Sequence, residues 1–291
     1  IGGSGFFGKS IVDCAINKKL IKHKINEICI ISRSKISQKK TYKHIKVTYI
    51  TKNITNVKKL PTIDYVIYCL KSKSKKSSSI YFNHFLKLLN NLPKKPKLLF
   101  TSSGAVYGKN KRKNNENTTI SFKKINELNG YKKDYALEKV YVENKFKELG
   151  NLKFNVSIAR CFNFIGKHIL NSKQAVGDMI SDGINKDIIT LNTSANVYRG
   201  YMNADDLVHW LIVILKNSNQ NCPIFNVGSD KEVNLRLLGK KIAKIFNKQL
   251  KLKKLKKLQT DYYVPSINKA KKQLKLKISI NLNDSLNSFI K

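Results

Sequence analysis

The chain has no apolar run long enough to cross a bilayer; the longest, Leu211-Ile212-Val213-Ile214-Leu215, suits a buried helix segment. No signal peptide is legible at its start, where Ile1-Gly2-Gly3-Ser4-Gly5 reads as the end of a strand entering a turn. That strand has almost no residues here, so it is expected to be truncated. Cysteine patterning is also missing. Cys14, Cys29, Cys69, Cys161 and Cys222 are odd in number and form no C-x-x-C pair. Buried reduced thiols in a cytoplasmic protein are expected, not a disulfide framework. The histidines His23, His44, His84, His168 and His209 match no metal spacing, so no metal site is expected. No G-x-S-x-G elbow and no P-loop occur.

Negative charge is scarce. Asp and Glu number 18 against 57 Lys and Arg, for a formal net charge of +39. Such a balance raises the question of a nucleic-acid or anionic-membrane partner. Arginine, however, occurs only at Arg33, Arg112, Arg160, Arg199 and Arg236, and the lysines are spread along the whole chain. With no zinc-finger spacing, RNP-like aromatic motif or zipper, the charge reads as surface decoration that favours anionic small substrates. Neither a nucleic-acid partner nor membrane insertion is expected.

What is present is a globular composition, 41% hydrophobic over 291 residues, enough for one large domain or two unequal ones. The first half alternates strand and helix patterns. Ile11, Val12, Ala15, Ile16 and Leu20 recur at helical spacing. Ile28–Ile31, Tyr65–Cys69 and Leu98–Phe100 are apolar runs of buried-strand type, and Ile45, Val47 and Tyr49 alternate, as do Phe154, Val156 and Ile158. This alternation predicts an α/β fold, a Rossmann-like doubly wound parallel sheet with helices on both faces. Leu235, Leu238, Ile242 and Ile245 form an amphipathic stripe. The lysine–leucine mixture from Lys248 to Lys257 reads as a charged edge strand, with a membrane-surface helix as the alternative. Lys109 to Asn117 reads as a surface loop.

Three motifs carry chemistry. Gly2, Gly5 and Gly8 give G-x-x-G-x-x-G between a strand end and a helix, where a dinucleotide pyrophosphate could approach bare backbone and meet the helix N-terminus. Tyr135 and Lys139 form Y-x-x-x-K, which on a helix puts phenol and ammonium on one face; the cation stabilises phenolate and makes the tyrosine a usable acid/base. By itself this spacing is explained by a surface helix more often than by catalysis. Thr101-Ser102-Ser103-Gly104 follows the run Leu98-Leu99-Phe100, placing Ser103 at the carboxyl end of a predicted parallel strand, where open α/β sheets bind ligands. After the next strand, Ser32-Arg33-Ser34 stands where an acidic residue would read an NAD ribose. A serine and an arginine favour the 2′-phosphate of NADP; a solvated Arg33, with NAD held by other contacts, is the alternative.

These motifs are followed by Arg160-Cys161-Phe162-Asn163, Arg199-Gly200-Tyr201-Met202-Asn203-Ala204-Asp205-Asp206, Asn226-Val227-Gly228 and Val264-Pro265-Ser266. In that order they resemble the extended short-chain dehydrogenase/reductase family, in its NAD-dependent epimerase/dehydratase group, over essentially the whole chain. The resemblance implies an enzyme using NAD(P) on a nucleotide-diphosphate sugar. Gly2, Gly5, Phe6, Phe7 and Gly8 would line the cofactor pyrophosphate, Ser32 and Arg33 its ribose, and Asn53 and Ile54 its adenine. Ser103 would polarise the substrate hydroxyl, Tyr135 would take its proton, and Lys139 would also hold the nicotinamide ribose. Asn163 would meet the substrate and Arg199 its diphosphate.

The resemblance further implies a cofactor domain over 1–165 and a smaller α/β substrate domain over 166–291, with about 200–228 returning to the first. A homodimer stays open. Dehydratases of the group carry an aspartate–glutamate pair directly after the serine or threonine of the motif; here those positions are Gly104 and Ala105. A 4-epimerase working through a transient 4-keto sugar is therefore expected. An NADP-dependent keto-sugar reductase is the alternative, ahead of a 4,6-dehydratase or a non-catalytic dinucleotide-binding relative. Asp134 and Glu138, which flank Tyr135, are expected to point away from its face.

Overall fold

The computed structural model describes residues 1–34, 40–72, 74–171, 174–254 and 260–290. After the glycine turn come α1 (Phe6–Ile16), β1 (Glu27–Ser32), β2 (Lys40–Tyr42), β3 (Ile45–Thr51), β4 (Tyr65–Tyr68), α2 (Lys75–Asn90), β5 (Lys97–Ser103), α3 (Phe122–Asn126), α4 (Gly130–Asn151) and β6 (Val156–Cys161). Then follow β7 (Asn163–Ile165), α5 (Ala175–Asn185), β8 (Ile188–Leu191), β9 (Asn196–Arg199), β10 (Tyr201–Asn203), α6 (Ala204–Lys216) and β11 (Ile224–Val227). The chain continues through β12 (Val233–Asn234), α7 (Leu235–Phe246), β13 (Gln249–Leu252), β14 (Thr260–Tyr263), α8 (Asn268–Leu274) and α9 (Leu282–Asn287). Two compact units result. One holds Ile1–Gly108, Ile120–Cys161 and Val208–Phe225; the other holds Lys109–Thr119, Phe162–Leu207 and Asn226–Lys291.

The first unit is the doubly wound α/β layer. β1 pairs with β3 in parallel, and β2 closes that sheet as an antiparallel edge. A second sheet runs β11–β6–β5–β4, with β4, β5 and β6 parallel. Ile1 and Gly2 stitch the two together: Ile1 N donates to Ile67 O at 2.8 Å, Cys69 N to Ile1 O at 2.8 Å, and Gly2 N to Ile31 O at 2.9 Å. Beyond the stitch, between β1 and β4, lies a cleft of about 880 Å³ lined by Ile28, Ile30, Ile63 and Val66, among others.

Side chains one residue apart on a strand face opposite ways, so each strand feeds two cores. Ile30 and Val47 join Val12 and Ala15 of α1 and Val208 and Ile212 of α6 on one face. Ile31, Val66, Tyr68, Phe100 and Ile158 join Phe82 and Phe85 of α2 and Phe146 of α4 on the other. There the rings interlock, Tyr68 against Phe85 at 5.0 Å and Phe100 against Phe146 at 5.1 Å between centroids. Each such side chain contributes roughly 1.5–3 kcal/mol by leaving water. The result is a rigid floor beneath the carboxyl ends of β4 and β5.

In the second unit β7 pairs with β10, β9 lies between β12 and β14, and β13 pairs in parallel with β8. The amphipathic stripe of the sequence is α7, capped by Asn234 Oδ1, which accepts from Arg236 N at 3.0 Å. Its Phe246 ring lies where a Cβ on Gly183 of α5 would stand, so the two helices close in tightly. Gln249–Leu252 is a strand, as the alternation of Leu250 and Leu252 suggested; residues 255–257 of that segment lie outside the described residues. The basic stretch after Gly108 joins this unit through Asn114, whose carbonyl accepts from Ser266 N at 2.8 Å and Asn226 Nδ2 at 3.0 Å.

Candidate active site

The carboxyl ends of β1, β4 and β5 and the glycine turn converge within the first unit. The turn itself divides its glycines by task. Gly2 sits at φ +80°, and a Cβ there would stand 2.9 Å from the backbone after Cys69; a Cβ on Gly8 would stand 2.2 Å from Gly3 O. The protein's own backbone therefore demands these two glycines. Gly5 is different: among the described residues, no atom but Gly2 O, at 4.0 Å, comes near its missing side chain. It is the N-cap of α1, and neither a side-chain cap nor an acidic first-turn residue covers that helix end. A bare backbone face beside a positive dipole end suits an anionic group.

Phe6 and Phe7 begin α1 half-buried, their rings edge to face at 6.1 Å. Ser32 is buried at the end of β1, with its Oγ accepting from Ser34 N at 3.2 Å, and Arg33 is exposed. Asn53 is half-buried and caps a short 3-10 turn by accepting from Thr55 N at 3.4 Å. Ile54 is buried in the core with Ile31 and Val66, so only its backbone is available to a ligand.

At the end of β5, Ser103 is buried and turns the chain, its Oγ accepting from Ala105 N at 3.2 Å. It also hydrogen-bonds the Tyr135 side chain. Tyr135 and Lys139 stand one turn apart on α4, with Lys139 Nζ 5.6 Å from the centre of the Tyr135 ring and 4.9 Å from that of Phe100. Nζ donates to Leu70 O at 3.1 Å. Burial pushes the Tyr135 phenol up to about 12; the Ser103 hydrogen bond pulls it back, the Glu138 charge adds to the rise, and the Lys71 charge opposes it. Burial pushes Lys139 down, and the Glu138 carboxylate opposes that. The structure thus brings Ser103, Tyr135 and Lys139 together.

Two groups at this site had not been singled out. Lys71 Nζ lies 5.0 Å and 5.7 Å from the ring centres of Tyr131 and Tyr135. Glu143, one turn beyond Lys139 on the same face, grips Arg160 of β6 and accepts from Ser102 Oγ at 2.6 Å. The 135, 139, 143 period could have revealed it. Of the two acids flanking Tyr135, Glu138 is buried, with Oε2 3.7 Å from Lys139 Nζ, whereas Asp134 is exposed.

Asn163 and Arg199 belong to the second unit. Asn163 Nδ2 is buried without a hydrogen-bond partner among the described residues. Arg199 is held by Asp261, Nη2 to Oδ2 at 2.7 Å, and donates from Nη1 to the carbonyls of Tyr198 and Asp261. No group of three or more metal-ligating side chains occurs among the described residues, and no helix among them is long and apolar enough to cross a membrane.

The model of the NAD dependent epimerase/dehydratase family matches residues 1–228. The chain belongs to this family. No curated protein sequence matches it. Among solved structures, dTDP-glucose 4,6-dehydratase from Bacillus anthracis in complex with NAD is similar at 15% identity and a TM-score of 0.77, covering 99% of this chain and 93% of its own. UDP-glucose 4-epimerase from Thermotoga maritima with UDP-glucose is similar at 17% identity and 0.72, covering 99% and 96%. DesIV, a dTDP-glucose 4,6-dehydratase from Streptomyces venezuelae with NAD and TYD bound, is similar at 14% identity and 0.75, covering 99% and 94%. At such identities the likeness is one of fold. Epimerases and dehydratases of the family share it, so reaction type must come from side chains.

Proposed function

We propose that the protein is an NAD(P)-dependent nucleotide-sugar epimerase acting through a transient 4-keto sugar. The observation that carries the reading is the assembly of Ser103, Tyr135 and Lys139 at the carboxyl end of β5, beside the bare helix end at Gly5. Gly5 and the first turn of α1 would hold the pyrophosphate, Ser32 and Arg33 the adenosine ribose, the Asn53 side chain and the Ile54 backbone the adenine, and Lys139 the nicotinamide ribose. When bound, such a cofactor supplies a hydride acceptor and donor.

The protein's own part is proton movement. Ser103 orients a sugar hydroxyl toward Tyr135, and Tyr135 as phenolate takes its proton. The ammonium of Lys139, 5.6 Å from the ring centre, would add to the Lys71 charge in offsetting the burial that otherwise keeps the phenol protonated. On return of the hydride to the opposite face, Tyr135 gives the proton back. Arg199 is the partner for the substrate diphosphate, with a planar fork better suited to it than a lysine. Elimination of water would need an acid and a base beside C5 and C6, and Gly104 and Ala105 carry no ionisable group.

Exposed Arg33 at the end of β1 favours a second reading, an NADP-dependent keto-sugar reductase, since a reductase exchanges its cofactor at each turnover. Mass spectrometry of the copurifying cofactor, followed by NMR of UDP- and dTDP-hexoses after incubation without added reductant, separates the readings. C4 epimers at equilibrium are expected. A product absorbing in alkali as a 4-keto-6-deoxy sugar would overturn the epimerase reading, and turnover only of keto-sugars with NADPH would replace it by the reductase.

A further inference from the structure

We propose that Glu138 is a positioning residue for this site: its buried carboxylate, anchored by Ser78, holds Lys139 as an ammonium ion beside Tyr135. The inference rests on the reading of Lys139 as the working cation of the site.

Glu138 and Lys139 are adjacent on α4, and both side chains are almost fully buried, 5% and 3% exposed. Glu138 Oε1 accepts from Ser78 Oγ of α2 at 2.7 Å, and Ser72 Oγ stands at 3.5 Å. Ser72 and Ser78 are themselves 2.5 Å apart, so a small hydroxyl cluster fixes that end of the carboxylate. Oε2 accepts no hydrogen bond among the described residues and lies 3.7 Å from Lys139 Nζ. A buried carboxylate oxygen without a hydrogen bond is costly unless a charge faces it.

Lys139 needs such a partner. Its ammonium sits between the Phe100 and Tyr135 rings, with one carbonyl, Leu70 O, as acceptor. The other groups facing it are Cys69 after β4, Cys161 of β6 and Lys71. Burial pushes both thiols up, so they stay neutral, and Lys71 repels it. Around Glu138 the remaining titratable neighbours are the Tyr68 phenol, which burial keeps protonated, and Tyr135, whose phenol the Glu138 charge pushes up. Without Glu138 the amine would shed its proton, and the cation that stabilises the Tyr135 phenolate would vanish. The Glu138 charge also bears directly on Tyr135, where it pushes the phenol up; its positioning role is the one it exerts through Lys139.

The test reads Lys139 directly. The pH dependence of its acetylation by acetic anhydride, followed by mass spectrometry of the Lys139 peptide, gives the midpoint of amine deprotonation without turnover. In Glu138→Gln the carboxylate's attraction for the ammonium is gone, so the midpoint falls by about one pH unit or more, and the alkaline limb of turnover moves the same way. Ser78→Ala, which keeps the carboxylate but loosens it, shifts the midpoint less and in the same direction; it decides the matter if Glu138→Gln does not fold. An unchanged midpoint in the folded variants overturns the proposal, as does lowered thermal stability with the midpoint and alkaline limb unmoved. A shifted midpoint in a protein that turns over no nucleotide sugar would overturn the functional reading and leave the Glu138–Lys139 coupling standing.

Discussion

Arg160 and Glu143 meet through both ends of their forks, Nε to Oε1 at 3.0 Å and Nη2 to Oε2 at 2.7 Å, fully buried beneath the end of β5. Burial works against the guanidinium charge, and Glu143 outweighs it, so Arg160 stays protonated. The same carboxylate holds Ser102, the neighbour of Ser103, and the guanidinium holds Tyr107 OH at 3.0 Å. Removing one partner leaves an uncompensated buried charge. Glu143→Ala is expected to cost about 3–5 kcal/mol in denaturant unfolding. A loss below about 1 kcal/mol would mean that the pair holds nothing in place.

Arg199→Ala is expected to weaken nucleotide-sugar binding by roughly 1.5–3 kcal/mol, the scale of a charge-assisted contact. Cofactor affinity should barely change. Calorimetry with each ligand checks this, and the reverse pattern would assign Arg199 to the cofactor.

Arg33→Ala is expected to abolish a preference for NADP over NAD, because its exposed guanidinium is the cation offered to a 2′-phosphate at the end of β1. Equal affinities for the two cofactors in the unaltered protein would already contradict the assignment.

His23 and His209 share a hydrogen bond, Nε2 to Nδ1 at 3.0 Å, and burial, then His209, then Lys216 lower His23 to about 4. The folded state therefore resists a proton that the unfolded chain accepts near 6.5. Stability is full above that value and falls with pH between 6.5 and about 4. Melting temperature measured across this window should decline, and His23→Gln should flatten the decline. A slope identical in the variant would remove His23 as its source.

Much of this architecture was legible in the sequence. The runs at Ile28–Ile31, Tyr65–Cys69 and Leu98–Phe100 became parallel strands because both their faces are covered, and continuous apolar character records that. The motif order likewise pointed to the family whose model matches. What stayed hidden depends on tertiary partners. Local spacing could not show that Gly2 and Gly8 answer to the protein's own backbone, leaving Gly5 open. The burial of Glu138 was not legible, because helical periodicity assumes one buried face. α2 packs on a second face and supplies Ser78, sixty residues away, to receive it. Arg199 and Asp261 stand 62 residues apart, and no pattern joins them.

Tyr135→Phe tests the central claim most directly. It removes one oxygen, the one placed to take a proton, and leaves Lys139 and the glycine turn in place. NAD(P) affinity should stay near that of the unaltered protein, while nucleotide-sugar turnover falls on the order of 10²–10⁴-fold. Turnover close to that of the unaltered protein, with the cofactor bound, would contradict the account.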